Sequence, residues 1–362
     1  MPKSLLFIPD ISGYTKFIQT TEVEHSQHVI SELLEVLLAA NEENLKLAEI
    51  EGDALFFYKE NEILSQERLL AQIESMFTAF YSHLKLLEKN RICPCNACAT
   101  APNLQLKVIA HIGELQHIEV QGIRKPFGEQ VIEAHRLLKN TVDSDNYALV
   151  SRPLALEIQL SHSYFSNVFR FRQGADSYDG KTMEYLYAII DPDQLDLRTF
   201  TPAKKHTFTK PPNLLVEKTF NSTASRVMEY ITNYSLRPYW AQGVDTFEFN
   251  KHEVTRMGTE HACVINGKHL NFVTVVKEVE KNQLVYGELT TSLPIFDELY
   301  QFFIITPKRQ ETCLLQMEVY WKVQSPFKKM ALTLFAKNQF KKSLEKSLQG
   351  LYQCTTAQKM ET

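Results

Sequence analysis

Two aspartates in the first half of the chain carry the clearest chemical potential. Asp10 ends an apolar run, Leu5-Leu6-Phe7-Ile8-Pro9, and is followed by Ile11-Ser12-Gly13-Tyr14-Thr15. Asp53 closes the triplet Glu51-Gly52-Asp53 between two apolar segments. Each placement puts a carboxylate at the end of a strand, where a turn exposes it. Two carboxylates on neighbouring strands hold Mg²⁺ or Mn²⁺ beside a triphosphate. The turn from Ser12 to Thr15 opens a helix, whose first N–H groups suit phosphate oxygens. Either motif alone also describes an ordinary turn acid, so the reading rests on their combination. A third cluster is Cys93-Pro94-Cys95-Asn96-Ala97-Cys98. It offers three thiolates within six residues, most of a tetrahedral zinc site. The fourth ligand is open among His83, His111, His117 and a cysteine of another subunit. The alternative is a loop of reduced thiols.

The elements that must position these groups follow from periodicity. Residues 4–9 read as a buried strand. Val29, Leu33, Leu34, Leu37 and Leu38 form one apolar stripe, so 28–42 reads as a helix. Segments 47–50 and 54–58 read as a hairpin about residues 51–53. A long helix over 65–88 precedes the cysteine loop. A second hairpin is expected from 104–111 and 115–120, turning at Ile112-Gly113-Glu114. A helix over 127–138 and strands at 147–151, 169–171 and 183–190 complete this half. Strands and helices interleave, which predicts an α+β sandwich with helices over an antiparallel-rich sheet.

At 362 residues the chain is long enough for two domains. Residues 1–200 hold 18 Lys and Arg against 28 Asp and Glu, a net of −10, and the remainder holds 21 against 15, a net of +6. The expected division is a first domain over 1–195, a linker over 196–212 and a second domain over 213–356. Pro202, Pro211 and Pro212 mark the linker. The acidic first half argues against a nucleic-acid partner there and suits a site that collects divalent cations. No run of 18 apolar residues suggests a transmembrane segment. The N-terminus lacks the pattern of an export signal, so a cytoplasmic location with reduced cysteines is expected.

The motifs of the first half, in order, resemble the class III adenylate/guanylate cyclase domain. That family carries an aspartate followed by Ile-x-Gly-Phe-Thr on its first strand, and Gly-Asp in its first hairpin. Ala110-His111-Ile112-Gly113-Glu114 matches its next turn, and Gly128-Glu129-Gln130-Val131-Ile132-Glu133-Ala134-His135-Arg136-Leu137 matches its later helix. The resemblance implies a ferredoxin-like sandwich and Asp10 and Asp53 as ligands of Mg²⁺ or Mn²⁺. It further implies Ile11 to Thr15 around the triphosphate, Arg136 as the catalytic group, and a homodimer. Three positions depart from the family. Ile132 replaces the ribose-orienting Asn. Glu49 is guanylate-like at the first base-selecting position, while Lys125 at the second fits neither pattern. Asp179 stands where the late catalytic Lys belongs, with Lys181 two residues on. The expected function is therefore a divergent domain that binds a nucleoside triphosphate with metal and turns it over slowly or not at all. The alternative is an active cyclase making the 3′,5′-cyclic nucleotide from ATP or GTP under control of the second half.

Residues 213–354 read as a strand, a short helix capped at Ser222 or Thr223, about six strands and a long closing helix over 325–352. This order, with Tyr239-Trp240-Ala241-Gln242-Gly243-Val244, resembles the START-like (SRPBCC, polyketide-cyclase-like) superfamily. The resemblance implies a helix-grip fold with a cavity for a hydrophobic small molecule or lipid. Trp240, Phe272, Phe296, Tyr300, Phe302, Trp321 and Phe335 are the expected lining. No convergent acid/base set is evident in this half, so ligand sensing rather than catalysis is expected of it.

Overall fold

The structure is a computed structural model that describes residues 2–200, 205–250, 253–265, 267–326, 328, 332 and 337–357. It has two compact units. The first comprises Met1–Leu86 and Thr100–Phe200, the second Leu87–Ala99 and Thr201–Thr362.

The first unit is built on a seven-stranded sheet. Its strands are β1 (Ser4–Ser12), β2 (Lys46–Glu51), β3 (Ala54–Lys59), β4 (Gln105–Gly113), β7 (Tyr147–Ser151), β8 (Arg172–Tyr178) and β9 (Lys181–Ile189). Their spatial order is β2-β3-β1-β4-β7-β9-β8. β1 lies in the interior because its uninterrupted apolar run can be covered on both faces. All pairings are antiparallel except β4 with β7. That parallel pair needs a crossover, and the crossover contains a separate two-stranded ribbon, β5 (Gln116–Val120) with β6 (Ile123–Phe127), and the helix α5 (Glu129–Leu137). The other helices of this unit are α1 (Tyr14–Thr20), α2 (Val23–Ala39), most of α3 (Gln66–Asn90) and α6 (Arg152–Glu157). Ala134 and Leu137 of α5 pack into one cluster with Leu6, Ile8, Ile109 and Leu149 of the sheet. The alternate side chains of β1 thus anchor the helix over the same sheet face.

Two expectations fail here. The hairpin over 104–120 does not form, because β4 continues through Gly113 and β5 pairs with β6. The true tight turn is Gln121-Gly122, whose φ values of 52° and 76° supply the two left-handed residues that such a hairpin needs. The strand expected at 169–171 lies instead at 172–178, and Phe169 and Phe171 are buried and stacked at 5.8 Å. Its hairpin partner is reached through Asp179-Gly180, again with both φ values positive.

The second unit is an antiparallel meander. β10 (Leu214–Phe220), β11 (Thr246–Phe249), β12 (Glu260–Ile265), β13 (Lys268–Val275), β14 (Leu284–Thr290), β15 (Glu298–Arg309) and β16 (Thr312–Lys322) lie in the order β10-β16-β15-β14-β13-β12-β11. The helix α7 (Ala224–Thr232) is capped by Thr223, which accepts from the Arg226 N–H. A 3₁₀ segment, Tyr234–Tyr239, follows. The closing helix α8 runs over Lys337–Ala357 and buries Leu344, Leu348 and Leu351, one apolar stripe. This unit also contains the short helix α4 (Asn96–Thr100) for all but its last residue.

Alternation along β15 sorts the expected cavity lining onto two faces. Leu299, Phe303 and Ile305 pack in the cluster that contains Leu344 and Leu348 of α8, together with Trp240, Phe296 and Trp321. Tyr300 and Phe302 point the other way, into a cluster with Tyr320 and Phe208. Phe208 stacks on Tyr320 with ring centroids 4.0 Å apart. Tyr300 and Phe302 therefore cannot line a space under α8. Successive strand side chains face opposite sides, a constraint that a list of aromatic residues does not encode. Phe335, with residues 327, 329–331, 333, 334 and 336 of the expected helix, lies outside the described residues. No helix among the described residues is long and apolar enough to cross a membrane.

Candidate functional site

The two aspartates meet at one end of the first unit's sheet. Asp10 stands opposite Ala54 across the β1–β3 pair, and Asp53 is the residue just before it. The Ile11 N–H donates to the Asp53 carbonyl at 3.0 Å, which pins the hairpin tip to β1. Gly52, at φ 73°, gives that tip the left-handed residue it requires. Asp53 senses the charge of Asp10. Burial, then the charge of Asp10, raises the Asp53 pKa to about 6. Asp10 is raised chiefly by burial, against the lowering effect of Lys107, with Glu51 and Asp145 adding negative charge. Two crowded, partly desolvated carboxylates are what a bound divalent cation relieves.

Other observations bear on that fit. Ser12, on the same face of β1 as Asp10, has a buried hydroxyl with no hydrogen-bond partner among the described residues. The donors are all oxygen, which suits a hard cation. Lys107, which sequence reasoning passed over, sits directly opposite Asp10 on β4, with Nζ 3.2 Å from Asp10 Oδ1. The residues fit a divalent ion, in competition with that lysine.

The remaining site positions of this unit are placed as follows. Gly13 has φ 88° and is the N-cap of α1, with no side-chain cap. Tyr14 begins that helix, one residue before Thr15. Glu49 and Lys125 form an ion pair at 3.0 Å. Arg136 pairs with Asp179. Ile132 is 53% exposed on α5, so its side chain presents hydrocarbon to the surface where a polar group would be free to act. Lys181 pairs with Glu129 at 2.9 Å and with Glu133. Glu133 is held at a pKa of about 2, first by hydrogen bonding to His111 and then by Lys181 against its burial. His111 is further fixed by Ser151 Oγ at 2.8 Å and Gln130 Oε1 at 3.0 Å. His135 binds the Val131 carbonyl and Glu51, a packing role for a histidine beside Arg136.

The cysteine segment folds as expected of a ligand cluster in one respect. The sulfurs of Cys93, Cys95 and Cys98 all lie within 4.8 Å of one another. The Cys98 N–H points at Cys95 Sγ, 3.3 Å away. Hydrogen bonding to Cys93 and Cys95, in which Cys98 keeps its proton, and burial push the Cys98 thiol up. Three suggested fourth ligands are engaged elsewhere: His83 with Glu32, His111 as above, and His117 with Arg124. No disulfide joins any of the six cysteines.

In the second unit the structure corrects the expectation that no acid/base set converges. Arg237, from the 3₁₀ segment, lies buried with Nη2 2.6 Å from Glu288 Oε1. Tyr286 donates its hydroxyl to Glu288 at 2.7 Å, and Tyr234 lies 3.0 Å from the Tyr286 hydroxyl. His261 Nε2 lies 3.5 Å from the same carboxylate oxygen. Its ring centroid lies 4.3 Å from that of Tyr234 and 5.2 Å from that of Phe272. Both its ring nitrogens are buried without a hydrogen-bond partner among the described residues. Burial lowers the His261 pKa to about 4, so the ring is neutral. Burial alone would raise Glu288, but the Arg237 charge, His261 and the hydrogen bonds from Tyr286 and Arg237 together hold its pKa below the usual carboxylate value. The residues come from β12, β14 and a segment between α7 and β11. Their meeting is a property of register, and no local spacing in the sequence announces it.

Comparison with known proteins gives the following. Residues 30–147 match the model of a family described as protein of unknown function (DUF2652). A protein of Mycobacterium tuberculosis described as uncharacterized protein Rv2561/Rv2562 is 31% identical over 129 residues, 35% of this chain. The chain spans 58% of the length of that relative. Among solved structures, the catalytic core of a rhodopsin-guanylyl cyclase is similar over 52% of this chain and 96% of its own, at 12% identity and a TM-score of 0.38. The guanylyl cyclase Cya2 is similar over 54% of this chain and 97% of its own, at 13% identity and a TM-score of 0.38. Norcoclaurine synthase of Thalictrum flavum is similar over 40% of this chain and 94% of its own, at 11% identity and a TM-score of 0.32.

Proposed function

We propose that the first unit is a divergent nucleotide cyclase-like domain that binds a nucleoside triphosphate with Mg²⁺ or Mn²⁺ and turns it over slowly. The observation that carries the reading is the pairing of Asp10 and Asp53 at one sheet end, each with its pKa raised by burial. A divalent ion held there would neutralise phosphate charge. The chain's own residues explain the slow turnover. Glu49 is tied to Lys125 and Arg136 to Asp179, so the groups that the resemblance directs at base and phosphate are neutralised by one another. Ile132 offers no hydrogen bond to a ribose. Losing a group that acts on the transition state costs about 10²–10³ in rate. The family's reliance on two copies makes a homodimer part of this proposal.

The test is binding and turnover of ATP, GTP, CTP and UTP with Mn²⁺. Metal-dependent binding with turnover far below about 1 s⁻¹ is expected, and Ile132→Asn should raise any residual rate. Turnover at an ordinary rate by the unaltered chain would overturn the divergent reading in favour of an active cyclase.

For the second unit we propose a START-like domain that holds a hydrophobic small molecule on the α8 side of the sheet, beside Trp240, Phe272, Phe296 and Trp321. The neutral His261, whose ring nitrogens have no hydrogen-bond partner among the described residues, would bind the polar end of such a ligand. For Cys93, Cys95 and Cys98 we propose zinc, since three converging thiolates suit a tetrahedral site with one further donor. Purified protein should then contain about one zinc per chain, and a chelator should make the three thiols react together. Absence of metal, with the three thiols alkylating independently, would leave the segment without that role.

A further inference from the structure

We propose that Lys107 is a built-in countercharge of the acidic centre, displaced from Asp10 when a divalent ion enters and then available to the polyphosphate of the nucleotide. The inference rests on the metal–nucleotide reading of the first unit. Its basis is position. β1 and β4 pair residue for residue from Ser4 with Gly113 to Ser12 with Gln105, which fixes the Lys107 backbone beside Asp10. Only the side chain has freedom to move, and it reaches Asp10 Oδ1 at 3.2 Å. Its charge acts on Asp53 as well as on Asp10. The other charges acting on Asp10 are the negative ones of Glu51 and Asp145, and Glu51 is already bound by His135. Among the described residues, Lys107 is thus the cation that balances this centre.

The basic groups nearby differ from it in one respect. Lys125, Arg136 and Lys181 each pair with an acid that has no proposed part in ion binding, namely Glu49, Asp179 and Glu129 or Glu133. Nothing about ion entry would release them. The partner of Lys107 is itself the proposed ion ligand, so ion entry and release of the ammonium are one exchange. A lysine on a flexible four-carbon stem suits this role, because it binds phosphate as a point charge without a fixed fork geometry.

The proposal predicts opposite changes in two affinities measured on the intact chain. Mn²⁺ binding without nucleotide is followed by electron paramagnetic resonance, and binding of the β,γ-imido analogues of ATP and GTP is followed by calorimetry at saturating Mn²⁺. Lys107→Met should bind Mn²⁺ about tenfold tighter or more, since no cation competes, and should bind the better of the two analogues about tenfold more weakly. Lys107→Arg, which keeps the charge, should shift Mn²⁺ affinity far less. Thermal unfolding of each variant checks that it folds. Unchanged or weaker Mn²⁺ binding by Lys107→Met overturns the proposal, as does unchanged analogue affinity, while the metal–nucleotide reading stands if the unaltered chain binds both. If neither protein binds Mn²⁺ or either analogue, that reading fails and the proposal with it.

Discussion

Asp53→Asn is expected to stabilise the first unit at neutral pH and at the same time to abolish the metal-dependent nucleotide binding proposed for it. The two effects share one cause. Asp53 titrates at about 6 in the folded chain, raised from 3.8 by burial and by the charge of Asp10. For a carboxylic acid whose folded pKa is raised, stability is fully present below the unfolded value and is lost as pH rises through the folded value. The unaltered chain therefore gives up stability between about 4 and about 6. The asparagine variant does not, because it has no charge to desolvate. The two proteins should unfold at similar temperatures near pH 4, with the variant increasingly the more stable as pH rises to about 6 and by a constant margin above it. The backbone carbonyl that accepts from Ile11 is retained, so the hairpin tip keeps its anchor. Binding should move the opposite way, since an amide cannot supply a metal with negative charge. A loss of about 100-fold or more in Mn²⁺-dependent nucleotide affinity is expected. For the unaltered chain, metal affinity should climb as pH passes about 6, where Asp53 loses its proton. Calorimetric melting across pH and nucleotide titration with Mn²⁺ read both effects. A variant less stable at pH 7.5 than the unaltered chain would show that Asp53 is a structural residue, whatever the binding result. Such opposition of stability and function is the usual mark of a site kept strained for its ligand.

How far the sequence announced this depends on the range of the interaction. The Glu51-Gly52-Asp53 tip and the buried strand before Asp10 were legible because each is encoded within a few residues, by a glycine that accepts positive φ and by an unbroken apolar run. The strand Leu214–Phe220 and the Thr223 cap of α7 were legible for the same reason. Lys107 was not. It interrupts a stretch whose neighbours Leu106, Val108, Ile109 and Ala110 are fully buried, which was a usable signal that its charge needed a partner. Which partner depends on the register of β4 against β1, set by distant residues. The misplaced hairpin has a related origin. Ile112-Gly113-Glu114 resembles a turn by composition, and Gln121-Gly122 is the turn by conformation. Tyr300 and Phe302 were misassigned because alternation needs a known starting face, and that face is decided by what covers the sheet.

Breaking the buried pair of Arg237 and Glu288 should destabilise the second unit more than any surface change. Arg237 and Glu288 are only 4% and 6% exposed. Removing one member of such a pair leaves the other charged in the core, which typically costs about 3–5 kcal/mol. Arg237→Met leaves Glu288 with Tyr286 as its remaining short donor, and Glu288→Leu leaves Arg237 among the rings of Tyr234, Trp240, Tyr286 and Phe303. Arg237 also loses an anchoring role when replaced, because its Nε donates to the Ile231 carbonyl at 2.7 Å. The double replacement Arg237→Met with Glu288→Leu removes both charges and should recover most of the loss, since an apolar pair of similar volume often matches a buried ion pair. The chain provides its own reporter. Its two tryptophans, Trp240 and Trp321, both belong to the second unit, so urea unfolding followed by tryptophan fluorescence reads this unit within the intact protein. A loss near 4 kcal/mol in each single variant, with strong coupling in the double-mutant cycle, is the expected result. Single variants that lose less than about 1 kcal/mol would mean that water reaches the pair as it reaches a surface salt bridge. The burial of Glu288 and His261 would then no longer support a polar anchor for a ligand on this face of the sheet.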